Sequence, residues 1–182
     1  MRKYEESIKP PIQGTIIDIE SIGDFNNHYP DDDSRQYSDI QPVIFGYLSE
    51  GILVIYCAEN KDEKSCLIQQ IKDEFQQLPS PYYAFNSRFE RGVLFHSCDM
   101  IINFECELNM MSREKKKYTV QSLGIDNYDD PFYDNGYQCL ISWENGDIES
   151  AIKHNRSCLL KEREILRKRG FREPDKMIFN YY

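Results

Sequence analysis

Apolar and β-branched residues fall in short runs over the first half of the chain and take a helical period over the second. Thr15 to Ile19, inside TIIDIES, is a predicted strand, and Ser21 to Gln41 is polar, acidic and turn-rich, a long loop. PVIFGYLSEGILVIYC, residues 42–57, reads as two strands around a tight turn at Ser49-Glu50-Gly51. With the first strand they begin an antiparallel sheet. From about Lys61 to Gln77, Leu67, Ile68, Ile71 and Phe75 mark one helix face, which Pro79 and Pro81 bring to an end. YYAFN (82–86) predicts a short strand, Arg88 to about Phe95 a short helix, and CDMIIN (98–103) another short strand or extended run. Three helices follow: YTVQSLG, stopping at Gly124; NGYQCLISWENG, bracketed by Gly136 and Gly146; and a long one from Asp147 to Lys168, with Gly170 just past its end. Residues 1–11 and 171–182 read as peripheral tails. The expectation is a single α/β domain over 1–182, a mixed central sheet flanked by helices with a helical C-terminal half.

Composition narrows the classes. The chain has 182 residues, 40% of them hydrophobic and 13% aromatic, enough for one domain with a full core. A formal net charge of −9 argues against non-specific coating of nucleic acid, although an acidic catalytic site is compatible with it. The charge is uneven: Asp31, Asp32 and Asp33 form an acidic cluster, Arg113 and Lys115 to Lys117 a basic one, and Lys161 to Arg172 is rich in Lys and Arg. The six cysteines form no CxxC and sit mostly in apolar segments, so they read as reduced, buried thiols of an intracellular protein, with the wrong spacing for a structural zinc site. The N-terminal MRKYEESIKPP has no apolar stretch, and no segment approaches a membrane span. A cytoplasmic location without membrane contact is expected, with the oligomeric state open.

Asp18 and Glu20 interrupt the first strand two positions apart, so both point to one face. Like charges there are unfavourable unless something positive sits between them. A second constellation is AFNSRFE, where Glu90 opens a helix and Asn86, four residues earlier, is placed to cap it. A third is IKHNRSCLLKE, which puts His154, Asn155, Cys158 and Glu162 close together on the last helix. Taken singly these have plain readings: an edge feature, a helix cap, a satisfied histidine, a small buried thiol. In order they resemble the three motifs of the DEDD 3′–5′ exonucleases of the RNase H-like fold, over about residues 12–169. D-I-E matches the first, N-S-R-F-E the second, and H-N-R-S-C the third, most closely in a microbial exonuclease family whose last motif begins H-N or Y-N. The stretch from Ser122 to Asn155 also looks like that family's run into its last helix.

The resemblance implies an RNase H-like fold and a metal-dependent 3′–5′ exonuclease acting on the 3′ end of single-stranded DNA or RNA. Two divalent cations, Mg2+ or Mn2+, would supply the missing positive charge. Asp18, Glu20 and Glu90 would be catalytic metal ligands and His154 the general base, with Asn86, Arg88 and Asn155 toward substrate. Arg91 and the Arg113 to Lys117 run would contact phosphates, and Tyr82, Tyr83, Phe85 and Phe89 are possible stacking residues. Two positions depart from the pattern: Glu90 stands where the family usually has Asp, and Cys158 where it has its fourth acid. A thiol is a poor ligand for a hard cation. Three consequences stay open: a slow enzyme preferring manganese; replacement of the fourth acid by Glu162, Asp147 or Glu149; or a catalytically impaired domain that binds nucleic acid or protein. Exposure of Asp18 and Glu20 would favour a merely structural role; a concave site shared with Glu90 would count against it.

Overall fold

The computed structural model describes residues 1–181, and Tyr182, the last residue of the expected tail, lies outside them. Six strands form one mixed sheet: β1 (Arg2–Ser7), β2 (Thr15–Ile22), β3 (Gln41–Ser49), β4 (Ile52–Cys57), β5 (Tyr82–Ala84) and β6 (Cys106–Glu107), in the order β1-β4-β3-β2-β5-β6. The neighbours β1/β4, β4/β3 and β3/β2 are antiparallel, whereas β2/β5 and β5/β6 are parallel. The helices are α1 (Lys64–Glu74), α2 (Ser87–Cys98), α3 (Lys116–Ser122), α4 (Gly136–Glu144) and α5 (Ile148–Arg169).

Local sequence explains most of these elements. Glu50 (φ 50°) and Gly51 (φ 84°) both take positive φ, which matches the twist of the β3–β4 hairpin. Asp147 opens α5 by accepting the Ser150 N–H at 3.2 Å. Leu67 and Ile71, fully buried, fasten α1 to the sheet face that carries Phe45. The opposite face carries Asp18 and Gly46, which are direct partners across β2 and β3, and α5 lies over it.

Three expectations change. Residues 2–7 are not tail but an edge strand; their burial alternates only weakly, and that faintness hides an edge strand from periodicity. CDMIIN is not a strand, because α2 runs on to Cys98 and Asp99, at φ 53°, turns the chain away; strand pairing resumes only at Cys106. The C-terminal segment is not peripheral either. Arg172 bridges Glu107, Ile178 bridges Asp33, and the rings of Phe179 and Phe95 lie 5.0 Å apart. Five of the six cysteines are buried, Cys66 alone being exposed. Among the described residues, no helix is long and apolar enough to cross a membrane.

Gly46 lets α5 approach the sheet. A Cβ there would lie 2.0 Å from Asn155 Oδ1 and 2.9 Å from Leu159 Cδ1. Gly46→Ala is therefore expected to cost about 1–3 kcal/mol by overpacking. Urea denaturation checks this, and an unchanged midpoint would contradict so close a contact.

Candidate active site

The site forms at the carboxyl ends of the parallel strands β2 and β5, where the chain leaves the sheet. Asp18 and Glu20 project from β2 toward α5, while Ile17 and Ile19 fill the other face. Among the described residues, Lys116 is the positive group set directly against Asp18. Its Nζ lies 2.9 Å from Asp18 Oδ1 and 2.5 Å from Glu162 Oε1. Burial works against the charge on Lys116, but Asp18, Cys158 and Glu162 outweigh it and hold its pKa well above the usual value. Asn155 completes the seat of Asp18, its Nδ2 donating to Asp18 Oδ2 at 2.7 Å and to the Asp18 carbonyl at 3.1 Å.

Glu90 enters from the first turn of α2, where the helix dipole favours an acid. It is only 6% exposed, and its Oε2 has no hydrogen-bond partner among the described residues. Burial, reinforced by the charges of Asp18 and Glu162, raises its pKa well above the carboxylate range. Burial likewise pushes Glu20 up to about 7 and Glu162 up to about 8. Desolvated acids with an unmatched oxygen leave the site short of positive charge even with Lys116 in place.

His154 comes from α5. Its Nδ1 lies 2.8 Å from Asp130 Oδ1, so Nδ1 carries the proton and Nε2 is turned to Glu20 Oε1 at 3.4 Å and Cys158 Sγ at 3.7 Å. Asp130 is itself fixed: it accepts from Lys161 Nζ at 2.7 Å and from the N–H groups of Phe132 and Asp134, each at 2.9 Å. Burial opposes the Asp130 charge, but His154 and Lys161 prevail and lower its pKa. Burial also opposes a charge on His154, against which Cys158, Glu20 and Asp130 raise its pKa. Burial pushes the Cys158 thiol up to about 11, so the sulfur is neutral at pH 7.

Asp18, Glu20, Glu90, Lys116, His154 and Cys158 line one cavity of 230 Å³, with Asn86, Phe85, Phe89 and Asp134 at its walls. No known family, curated protein or solved structure matches this chain. The reading of the cavity therefore rests on its own geometry.

That geometry brings Asp18, Glu20, Glu90 and His154 together, as the motif order implied, and rearranges the rest. Asn86 makes no capping bond and stays exposed at the rim. Arg88 faces away, toward Asp31 at 3.3 Å and the Lys176 carbonyl, and Arg91 donates to the Asp175 carbonyl. Asn155 is fully buried on Asp18, which makes it a positioning residue and not a substrate contact. Cys158 does line the cavity, whereas Glu162 stands beneath it on Lys116. Asp147 caps α5 and Glu149 is exposed near Arg2 and Lys153, so neither replaces the fourth acid. Tyr82 and Tyr83 pack into the sheet, while Phe85 and Phe89 face the cavity.

Sequence reasoning placed Lys116 within a run facing phosphates and missed it as the counter-ion of Asp18 and Glu162, since a charge run looks solvated. It missed Asp130 and Lys161 altogether as partners of His154. The only signal was weak: a DD pair followed by proline, and a lysine on the same helix stripe as His154.

The donors also test the implied cations. The first implied position would draw on the oxygens of Asp18, Glu90 and Glu162, which are of the hard kind magnesium takes and include the unpartnered Glu90 Oε2, but they do not gather to ligand spacing as Glu20, His154 and Cys158 do. The second position does not fit magnesium, because Cys158 offers sulfur and His154 nitrogen where magnesium requires oxygen.

Proposed function

We propose that this chain is an RNase H-like, metal-dependent 3′–5′ exonuclease acting on single-stranded DNA or RNA. The observation that carries the reading is the convergence of Asp18, Glu20, Glu90 and the Asp130-oriented His154 in one cavity. The strand order supports it: a central β2 with an antiparallel hairpin on one side and parallel β5 and β6 on the other places the two acids at the sheet's carboxyl end.

In this reading Asp18, Glu90 and Glu162 would have to draw together to hold one magnesium or manganese ion, in place of the two that the motifs imply. The ion supplies charge neutralisation at the scissile phosphate. Asn155 sets the Asp18 carboxylate, and His154 Nε2 is the proton-transfer group beside Glu20. Phe85 and Phe89 bound the space for the terminal nucleotide. A second cavity, lined by Lys115, Lys117, Tyr118 and Tyr133, shares Lys116, Asp134 and Gly136 with the first, and offers phosphate contacts and stacking faces to a single strand.

A second reading, a nucleic-acid or protein binding domain that has lost catalysis, is favoured by three observations. Cys158 lines the cavity with sulfur where the motif has a hard ligand, Lys116 already neutralises Asp18, and the groups around His154 raise its pKa, which suits a base poorly. A gel assay on a 5′-labelled single-stranded oligonucleotide, with magnesium or manganese, separates the two. Wild type should shorten the strand from its 3′ end, and Asp18→Ala should lower the rate by about 10²–10³-fold or more. Cleavage by Cys158→Asp alone would establish the second reading, with an intact scaffold disarmed at one residue. No cleavage by either protein would overturn the exonuclease reading on that substrate.

A further inference from the structure

We infer that Glu20, His154 and Cys158 form a site for a single borderline-soft divalent cation, zinc, held by one oxygen, one nitrogen and one sulfur. The inference rests on this donor set and is independent of phosphodiester cleavage.

The three donor atoms lie within 4.8 Å of one another. Zinc bonds of about 2.0–2.2 Å to nitrogen and oxygen and about 2.3 Å to sulfur give tetrahedral edges of roughly 3.6 Å for N···S and roughly 3.3 Å for N···O. The observed separations are 3.7 Å from His154 Nε2 to Cys158 Sγ and 3.4 Å from His154 Nε2 to Glu20 Oε1. Two of the three edges are thus already at ligand spacing, and the third lies within 4.8 Å. His154 and Cys158 stand one helical turn apart on α5, and Glu20 reaches them from β2, so a rigid helix and a rigid strand fix the spacing.

The surroundings supply what such a site needs. Asp130 Oδ1 accepts from His154 Nδ1, which leaves Nε2 as the coordinating nitrogen, the carboxylate–histidine arrangement found behind zinc ligands. Lys161, fully buried, anchors Asp130 in turn. All three donors line the cavity, so a fourth tetrahedral position faces solvent-accessible space and is open to water or a small anion. The sulfur that disqualifies magnesium is an asset to zinc. Lys116 meanwhile serves Asp18 and Glu162, which leaves Glu20 with His154 and Cys158.

The test is spectroscopic. The full chain, freed of metal, is titrated with Co2+ and then with Zn2+. Wild type should take up one Co2+ with intense tetrahedral visible bands and a near-ultraviolet thiolate-to-cobalt band, all abolished by one equivalent of Zn2+. Cys66→Ser, which removes the exposed thiol, should leave the bands unchanged. Cys158→Ser, a one-atom change, should lose the near-ultraviolet band. Glu20→Gln, at a partly exposed side chain, should keep that band and weaken zinc at least about tenfold. Absence of the near-ultraviolet band in wild type, its survival in Cys158→Ser, or unchanged zinc affinity in Glu20→Gln would each overturn the assignment.

Discussion

Lys116→Met is expected to destabilise the metal-free protein by about 3–5 kcal/mol, and magnesium or manganese is expected to restore much of the loss. Lys116 is mostly buried, and its ammonium pairs with Asp18 and Glu162, which are 9% and 1% exposed. Methionine keeps the length and the apolar stem but leaves the Asp18 carboxylate desolvated without its counter-ion and forces Glu162 to take up a proton. Breaking a buried pair from one side costs more than the pair contributes, because the stranded charge has nowhere to go. A divalent ion on the same oxygens replaces the lost charge, and at 100 times its Kd contributes about 2.7 kcal/mol. Urea denaturation in EDTA and in manganese measures both effects. A loss under about 1 kcal/mol, or no recovery with metal, would show that Lys116 is not the counter-ion of these acids.

In EDTA, thermal stability should fall between pH 5.5 and 8.5, and a bound divalent ion should flatten that fall. Glu20 and Glu162 are raised by burial to about 7 and about 8 in the folded protein, against about 4.3 for an unfolded glutamate. A raised folded pKa means that the folded state binds the proton more tightly. The stabilisation is complete below the unfolded value and is lost as pH climbs through the folded one. A tenfold difference in proton affinity between the folded and unfolded states is worth about 1.4 kcal/mol, so the midpoint should drop by several degrees across this window. His154 is raised as well and acts in the same direction, whereas Lys116, raised from a value already above this window, adds nothing within it. Asp33 and Glu114, held down at about 2, lose their contribution only in acid and stay outside the window. Scanning calorimetry with and without metal checks the sign. A flat profile in EDTA would mean that these acids carry no excess protons.

The same arithmetic makes the acid cluster an unfavourable way to build a core. Asp18, Glu90 and Glu162 share one buried region with one lysine, and the Glu90 Oε2 finds no partner. Apolar residues of similar volume would be more stable there. Such a cost is typical of sites shaped by a ligand more than by stability.

The sequence by itself determined what depends on near neighbours. Strand alternation placed Asp18 and Glu20 on one face, and the positive-φ pair Glu50-Gly51 closed the hairpin. The helical period aligned His154, Cys158 and Glu162 along one stripe of α5, with Asp147 and Gly170 marking its ends. Such signals repeat every two or every 3.6 residues, so a few positions suffice to reveal them. Where the pattern was faint or misleading, local reading failed. β1 has too little apolar contrast to stand out, and Met100 and Ile102 in CDMIIN are half-buried residues of a loop packed on the core.

Only the tertiary structure decided which charges meet. Lys116 and Asp18 are 98 residues apart, Asn155 and Asp18 are 137, and Asp130 reaches His154 across 24. Cysteine spacing argued against zinc because it tests ligands close together in the chain, whereas Glu20 joins His154 and Cys158 from the far end of the sequence. Burial then set the protonation of these groups, and burial is a property of the whole fold. An ammonium among carboxylates has no period along the chain, so it became visible only when β2, α3 and α5 were brought to one place.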